Sequence, residues 1–150
     1  MKLYLAPLEG ITNHIYRKAL YECFGGFDKY FIPFIRAKQN LNFSGREKKD
    51  IDSANNQGMY AVPQILTRNA DDFLRTASQL AGLGYREINL NLGCPSKTVV
   101  TKGCGAGFLE RPDELERFLD HIFANTDLKI SIKTRLGMDD AEEFEDLLEI

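Results

Sequence analysis

A thiol stands where an alternating stretch gives way to glycine and proline, in Asn89-Leu90-Asn91-Leu92-Gly93-Cys94-Pro95-Ser96-Lys97. A second glycine-rich run, Gly103-Cys104-Gly105-Ala106-Gly107, follows closely. Gly93 permits backbone angles that other residues avoid and Pro95 stiffens the exit, so Cys94 is presented on a turn immediately after a strand. The later glycines would let backbone approach a bound ligand closely. A catalytic thiol fits this placement. A structural cysteine buried in a tight turn fits it too, because free cysteine is commonly buried.

Two strands supply polar faces near this thiol. In Glu87-Ile88-Asn89-Leu90-Asn91-Leu92 the polar residues share one face and the aliphatics the other. In Ile130-Ser131-Ile132-Lys133-Thr134-Arg135, Ser131, Lys133 and Arg135 again share a face. A sheet covered on both faces by helices should instead read as near-continuous apolar runs. Polar residues converging from strand ends on a common centre are what a barrel site requires.

The elements that must hold these residues alternate in type. Leu3 to Pro7, Lys29 to Ile35, Tyr60 to Leu66, Glu87 to Leu92 and Lys129 to Arg135 read as strands. Helices are expected from about Thr12 to Phe24, from an Asn69 cap to Gly84, from Pro112 through Phe123, and from Ala141 to Ile150. The stretch from Arg36 to Gly58 is polar and irregular, with a short helix near Gly45 to Ile51. Strand–helix alternation requires crossover connections and a parallel sheet. The fold class is therefore α/β, a TIM (β/α)8 barrel in preference to a doubly wound sheet. A full barrel takes eight such units in roughly 250 residues. About five are present, so residues 1–150 are expected to be the first portion of a barrel domain.

Composition narrows the classes further. Hydrophobic residues make up 43% of the chain and charged residues 27%, which suits a soluble globular protein. No apolar run reaches the roughly 18 residues of a membrane span, and no signal peptide is recognisable, so a cytoplasmic location is expected. Cys23, Cys94 and Cys104 form neither an even disulfide set nor a paired metal pattern, so neither a disulfide framework nor a metal is expected. His121 falls on the polar side of its helix and His14 has no motif behind it. The net charge of −3 argues against a nucleic-acid partner, since phosphate-gripping proteins usually carry a positive excess.

Four segments change that balance. LAPLEGITN, VPQIL, NLNLGCPSKTVVTKGCGAGFL and IKTRLG resemble, in order, the signature segments of the tRNA-dihydrouridine synthases. The resemblance covers nearly the whole chain, and the GCP segment is its most specific part. It implies an FMN enzyme, reduced by NADPH or NADH, that saturates the C5–C6 double bond of uridines in tRNA. Cys94 corresponds to the family's proton donor, and an ordinary thiol pKa of about 8.5 keeps that proton in place near neutrality. Pro7, Leu8, Glu9, Gln64 and Lys133 correspond to flavin-contacting positions, with Gln64 expected at the end of its strand. Asn91 corresponds to an asparagine beside the target base, Asn89 to its support, and Arg135 to a position near substrate. The base must be flipped out for C5 and C6 to be reached.

The resemblance also implies parts that the five units do not include. The family's phosphate site comes from late barrel strands, and a C-terminal helical domain holds tRNA, which would reconcile the net charge with an RNA substrate. The 150-residue chain by itself is expected to bind FMN weakly, to lack activity and to risk self-association through open strand edges. Two alternatives are another FMN barrel acting on free pyrimidines, such as a dihydroorotate or dihydropyrimidine dehydrogenase, and an inactive fragment or binding module.

Overall fold

The computed structural model describes residues 1–37 and 42–150. Along the chain come β1 (Tyr4–Leu5), α1 (His14–Cys23), β2 (Lys29–Arg36), α2 (Gly45–Ile51), β3 (Ala61–Leu66), α3 (Ala70–Gly82) and β4 (Glu87–Leu92). They are followed by α4 (Lys97–Val100), α5 (Pro112–Ala124), β5 (Lys129–Thr134) and α6 (Glu143–Leu148), with 3-10 turns at Ser53–Asn56 and Gly105–Phe108. Among the described residues the strands make one sheet in the order β1-β2-β3-β4-β5, and each neighbouring pair is parallel. A doubly wound sheet would reverse its strand order at a switch point. Strictly sequential order instead carries every crossover helix to one face and curls the sheet, giving a partial TIM barrel.

Register decides which side chains line the concave face. Glu87, Asn89 and Asn91 pair with Lys129, Ser131 and Lys133, and Gln64 pairs with Asn89, so all these project to the same side. The opposite face carries Ile65, Ile88, Leu90 and Leu92, packed on Phe73, Ala77 and Leu80 of α3 and on Leu115, Phe118 and Ile122 of α5. Phe118 meets Phe73 and Phe108 edge-on, with ring centroids 6.0 and 5.4 Å apart. The core therefore lies between sheet and helices, and the concave face is polar.

The caps explain the element boundaries. Asn13, rather than Thr12, caps α1 by accepting from the Tyr16 N–H at 3.0 Å, while the Thr12 hydroxyl accepts from Leu8 N–H at 2.8 Å. Helix α1 therefore starts two residues later than the sequence suggested, and β1 is confined to Tyr4–Leu5 ahead of Pro7 and this turn. A Ser44–Glu47 capping box opens α2, and Asn69 caps α3. Strand β5 ends at Thr134, so Arg135 lies beyond it. The Glu143 carboxylate gathers the N–H groups of Met138, Asp139 and Asp140, and α6 is shorter than the expected Ala141 to Ile150. No helix of the described residues is long and apolar enough to cross a membrane.

Helix α1 docks through a buried arginine instead of an apolar stripe. Arg17 is its one buried residue, at 0% exposure. Its guanidinium donates to Thr12 O at 2.7 Å, Asp50 O at 2.7 Å and Asn56 Oδ1 at 2.9 Å, and it lies 3.8 Å from the Asp50 carboxylate. These bonds tie α1 to the end of α2 and to the 3-10 turn that follows. Replacing Arg17 by leucine strands two buried acceptors, Thr12 O and Asn56 Oδ1, while Asp50 keeps Asn56 Nδ2 on its carbonyl and His14 N–H on its carboxylate, so Arg17→Leu should lower the unfolding free energy by about 2–4 kcal/mol. Urea denaturation measures it; a loss under about 1 kcal/mol would show that α1 is held by other contacts.

Candidate functional site

The floor of the concave face is ionic. Lys29, Glu87 and Lys129 each open a strand, and Lys29 Nζ donates to both Glu87 oxygens at 2.6 and 2.8 Å. Tyr60 donates to the same carboxylate at 3.0 Å, and Lys129 Nζ lies 3.2 Å away. Burial alone would push the Glu87 pKa up, but hydrogen bonds from Lys29, Ser131, Lys129 and Tyr60 outweigh it and hold the group below its ordinary value.

Above this floor lies a run of carboxamides. Gln64 Nε2 donates to Asn89 Oδ1 at 2.6 Å, and Asn89 Nδ2 donates to Ser131 Oγ at 3.0 Å. Asn91 Nδ2 donates to Gln64 Oε1 at 2.8 Å. Asn91 Oδ1 accepts from the N–H groups of Gly93 at 3.1 Å and Cys94 at 3.0 Å. Gln64, Asn89 and Asn91 are all buried.

At the mouth, Cys94 is half-buried, and among the described residues its sulfur has no hydrogen-bond partner. Its carbonyl accepts from Ala106 N–H at 3.1 Å, which clamps the glycine-rich turn onto it. Gly105 has φ +57°, and a Cβ there would fall 2.8 Å from Cys94 O. A Cβ on Gly107 would fall 2.7 Å from Val100 O. These glycines thus approach the protein's own backbone, not a ligand as the sequence suggested. Gly93, unlike Gly105, has no positive φ; a Cβ there would come within 3.3 Å of the Thr134 backbone, so its role is to let the end of β4 pass close to β5.

The sequence-derived residues are brought together in part. Gln64, Asn91 and Cys94 form one bonded group, and Asn89 joins them. Gln64 lies within β3, not at its end, and its side-chain amide is engaged on both sides. Lys133 shares the Asn91 face by register and is exposed, with no hydrogen-bond or ion-pair partner among the described residues. Pro7, Leu8 and Glu9 sit beyond β1, two strands away from β3, and among the described residues make no side-chain hydrogen bond to the amide group. Glu9 lines a cleft of about 200 Å³ with Arg36 and Arg46. Arg135 is exposed and outside the ladder.

Arg36 is the position that sequence reasoning missed at the mouth. A bulge between Ile32 and Ile35 changes the alternation of β2, and Arg36 pairs with Leu66 on the concave side. Counting alternation without the bulge turns Arg36 outward. Burial pushes the Cys104 thiol pKa up against the opposing pull of Arg68, Arg36 and Lys102, so cations cluster on this side of the mouth. Among the described residues no group of three or more His, Cys, Asp or Glu side chains is placed to hold a metal ion.

Comparison with known proteins gives a consistent result. The family model of dihydrouridine synthase (Dus) matches residues 4–150. A Staphylococcus aureus protein named “Probable tRNA-dihydrouridine synthase” is 32% identical over 147 residues, covering 96% of this chain and 44% of that protein. The tRNA-dihydrouridine(16) synthase of Cupriavidus necator is 33% identical over 147 residues, covering 93% and 45% respectively. The chain thus spans a little under half the length of the curated relatives it matches.

Two outcomes follow from this geometry. The native Glu87 pKa lies below the unfolded value of about 4.3, so the stability it adds is complete above that pH and is lost as pH falls through the native value. Glu87→Gln should therefore flatten the acid limb of a stability–pH curve, and an unchanged limb would contradict the ionic floor. Gly105→Ala places a side chain at positive φ against Cys94 O and should cost about 2 kcal/mol or more in urea melts, with faster alkylation of Cys94. A neutral substitution would mean that the clamp is loose.

Proposed function

The chain belongs to the dihydrouridine synthase family, and from that premise we propose that it forms part of a flavin-dependent enzyme that reduces uridine to 5,6-dihydrouridine in tRNA. The observation that carries this reading is Cys94: a half-buried, unpartnered thiol after β4, fastened through Asn91 to Gln64 on the polar concave face. The C-terminal ends of barrel strands are where such folds place their chemistry.

The residues fit FMN as the cofactor. Leu8 offers exposed apolar surface, Lys133 an unpartnered cation suited to the negative charge of a reduced flavin, and Gln64 one further amide N–H. We assign Pro7, Leu8, Glu9, Gln64 and Lys133 to holding it. When bound and reduced by NADPH or NADH, FMN supplies the hydride that uracil C6 takes up. The Cys94 thiol gives its proton to C5, and hydride plus proton saturate the double bond; solvent then returns a proton to the thiolate. Asn91 fixes the Cys94 turn and keeps one amide hydrogen for a uracil edge, and Arg135 reaches toward the RNA. Arg36, Arg68 and Lys102 give the mouth a positive margin for phosphates despite the chain's net charge of −3. The cytoplasm, where tRNA is modified, is the compartment this reading requires.

The test uses the complete enzyme with bulk tRNA and, separately, free uracil. Cys94→Ala should retain bound flavin yet lose dihydrouridine formation by a factor of about 10² or more, the range expected when a general acid is removed. Undiminished product, or reduction of free uracil in place of tRNA, would overturn the assignment.

A further inference from the structure

We infer that Ser131, midway along β5, is a positioning residue that orients the Cys94 turn through a one-way hydrogen-bond relay across β5, β4 and β3. The relay is a feature of the fold, and its catalytic consequence rests on the function proposed above.

The direction of the relay is forced from the thiol end. A backbone N–H only donates, so Gly93 and Cys94 require an oxygen from Asn91. That turns Asn91 Nδ2 toward Gln64, which must answer with Oε1. Gln64 then presents Nε2, and Asn89 must answer with Oδ1. Asn89 is left presenting Nδ2, so Ser131 Oγ must accept. The single hydroxyl hydrogen of Ser131 is thereby free to point toward the Glu87 carboxylate, which lies on the same face. Every donor along the line therefore points from the thiol turn toward Ser131.

A carboxamide can rotate by 180° with little steric penalty, and a flipped Asn91 would aim an NH2 group at two N–H donors. Each link excludes that flip in its neighbour, because buried amides left facing donor to donor lose their bonds without access to water. Asn91 is the residue that makes the polarity unique: two backbone N–H groups, which can only donate, claim its oxygen, and a reversed relay would leave both without an acceptor. Ser131 thus acts on Cys94 through the order of three amides, not through direct contact.

The measurement is NMR on the 15N,13C-labelled chain and needs neither flavin nor tRNA, so it fails or succeeds independently of the proposed reaction. In the unsubstituted chain, a coupling across the hydrogen bond from the Cys94 amide nitrogen to the Asn91 side-chain carbonyl carbon should be observed. Ser131→Ala should reduce hydrogen-exchange protection of the Gly93 and Cys94 amides by about tenfold, with Ser131→Thr restoring it and the α3 and α5 amides unaffected. Full protection in Ser131→Ala, or a uniform loss that threonine does not rescue, would overturn the relay. If Ser131→Ala does not fold, absence of the Cys94–Asn91 coupling in the unsubstituted chain overturns it equally. In the complete enzyme the same variant should lower kcat at unchanged KM for tRNA.

Discussion

Two backbone N–H groups, those of Gly93 and Cys94, meet one side-chain oxygen on Asn91, and the geometry of the mouth depends on that meeting. A residue leaving a β-strand has lost its ladder partners, and a buried N–H without a replacement costs about 1–3 kcal/mol. Asn91 supplies the replacement from inside the strand. The turn that carries the thiol is thereby fastened to the polar face of the sheet instead of to the helices behind it. On the other side Ala106 N–H takes the Cys94 carbonyl, so this backbone unit is held at both ends while the sulfur remains without a partner. A group that exchanges a proton needs this combination, a fixed frame and an uncommitted terminal atom.

The polar concave face is possible because it is closed upon itself. Three buried amides and a buried carboxylate would each oppose folding if left alone. The amides are arranged so that each satisfies the next, with Ser131 at the end of the series, and Glu87 is satisfied by Lys29 and Lys129. The apolar core is kept apart, on the helix side, where Ile65, Ile88, Leu90 and Leu92 meet α3 and α5. The helix-side face thus supplies the hydrophobic contribution to stability and the concave face the site, a division that suits one barrel scaffold to different chemistries.

Much of this was legible in the residues. The alternation of Glu87 to Leu92 gave a strand with its observed limits and its polar face, and the caps at Asn69 and Pro112 placed α3 and α5. The sequential parallel sheet followed from the strand–helix order. Three features were hidden, each for a local reason. Arg36 faces the mouth because a bulge changes the parity of β2, and parity is what a pattern reading counts. Arg17 is buried although arginine is usually exposed, and this was hidden because two of its partners, Asp50 and Asn56, lie far from it in sequence. Gly105 and Gly107 look like a ligand-hugging loop, but their close neighbours are Cys94 O and Val100 O; composition does not reveal which backbone a glycine faces.

The central proposal, which starts from membership of the dihydrouridine synthase family, is that flavin and RNA meet at the Cys94 sulfur. The chain contains its own control, since Cys23 at the end of α1 is exposed and remote from the mouth. The most direct measurement is the alkylation rate of each cysteine, read by peptide mass, in the complete flavin-loaded enzyme with and without tRNA. With tRNA at about ten times its Kd, Cys94 should react about tenfold more slowly while Cys23 is unchanged. Equal rates at Cys94 in the two conditions would contradict the claim.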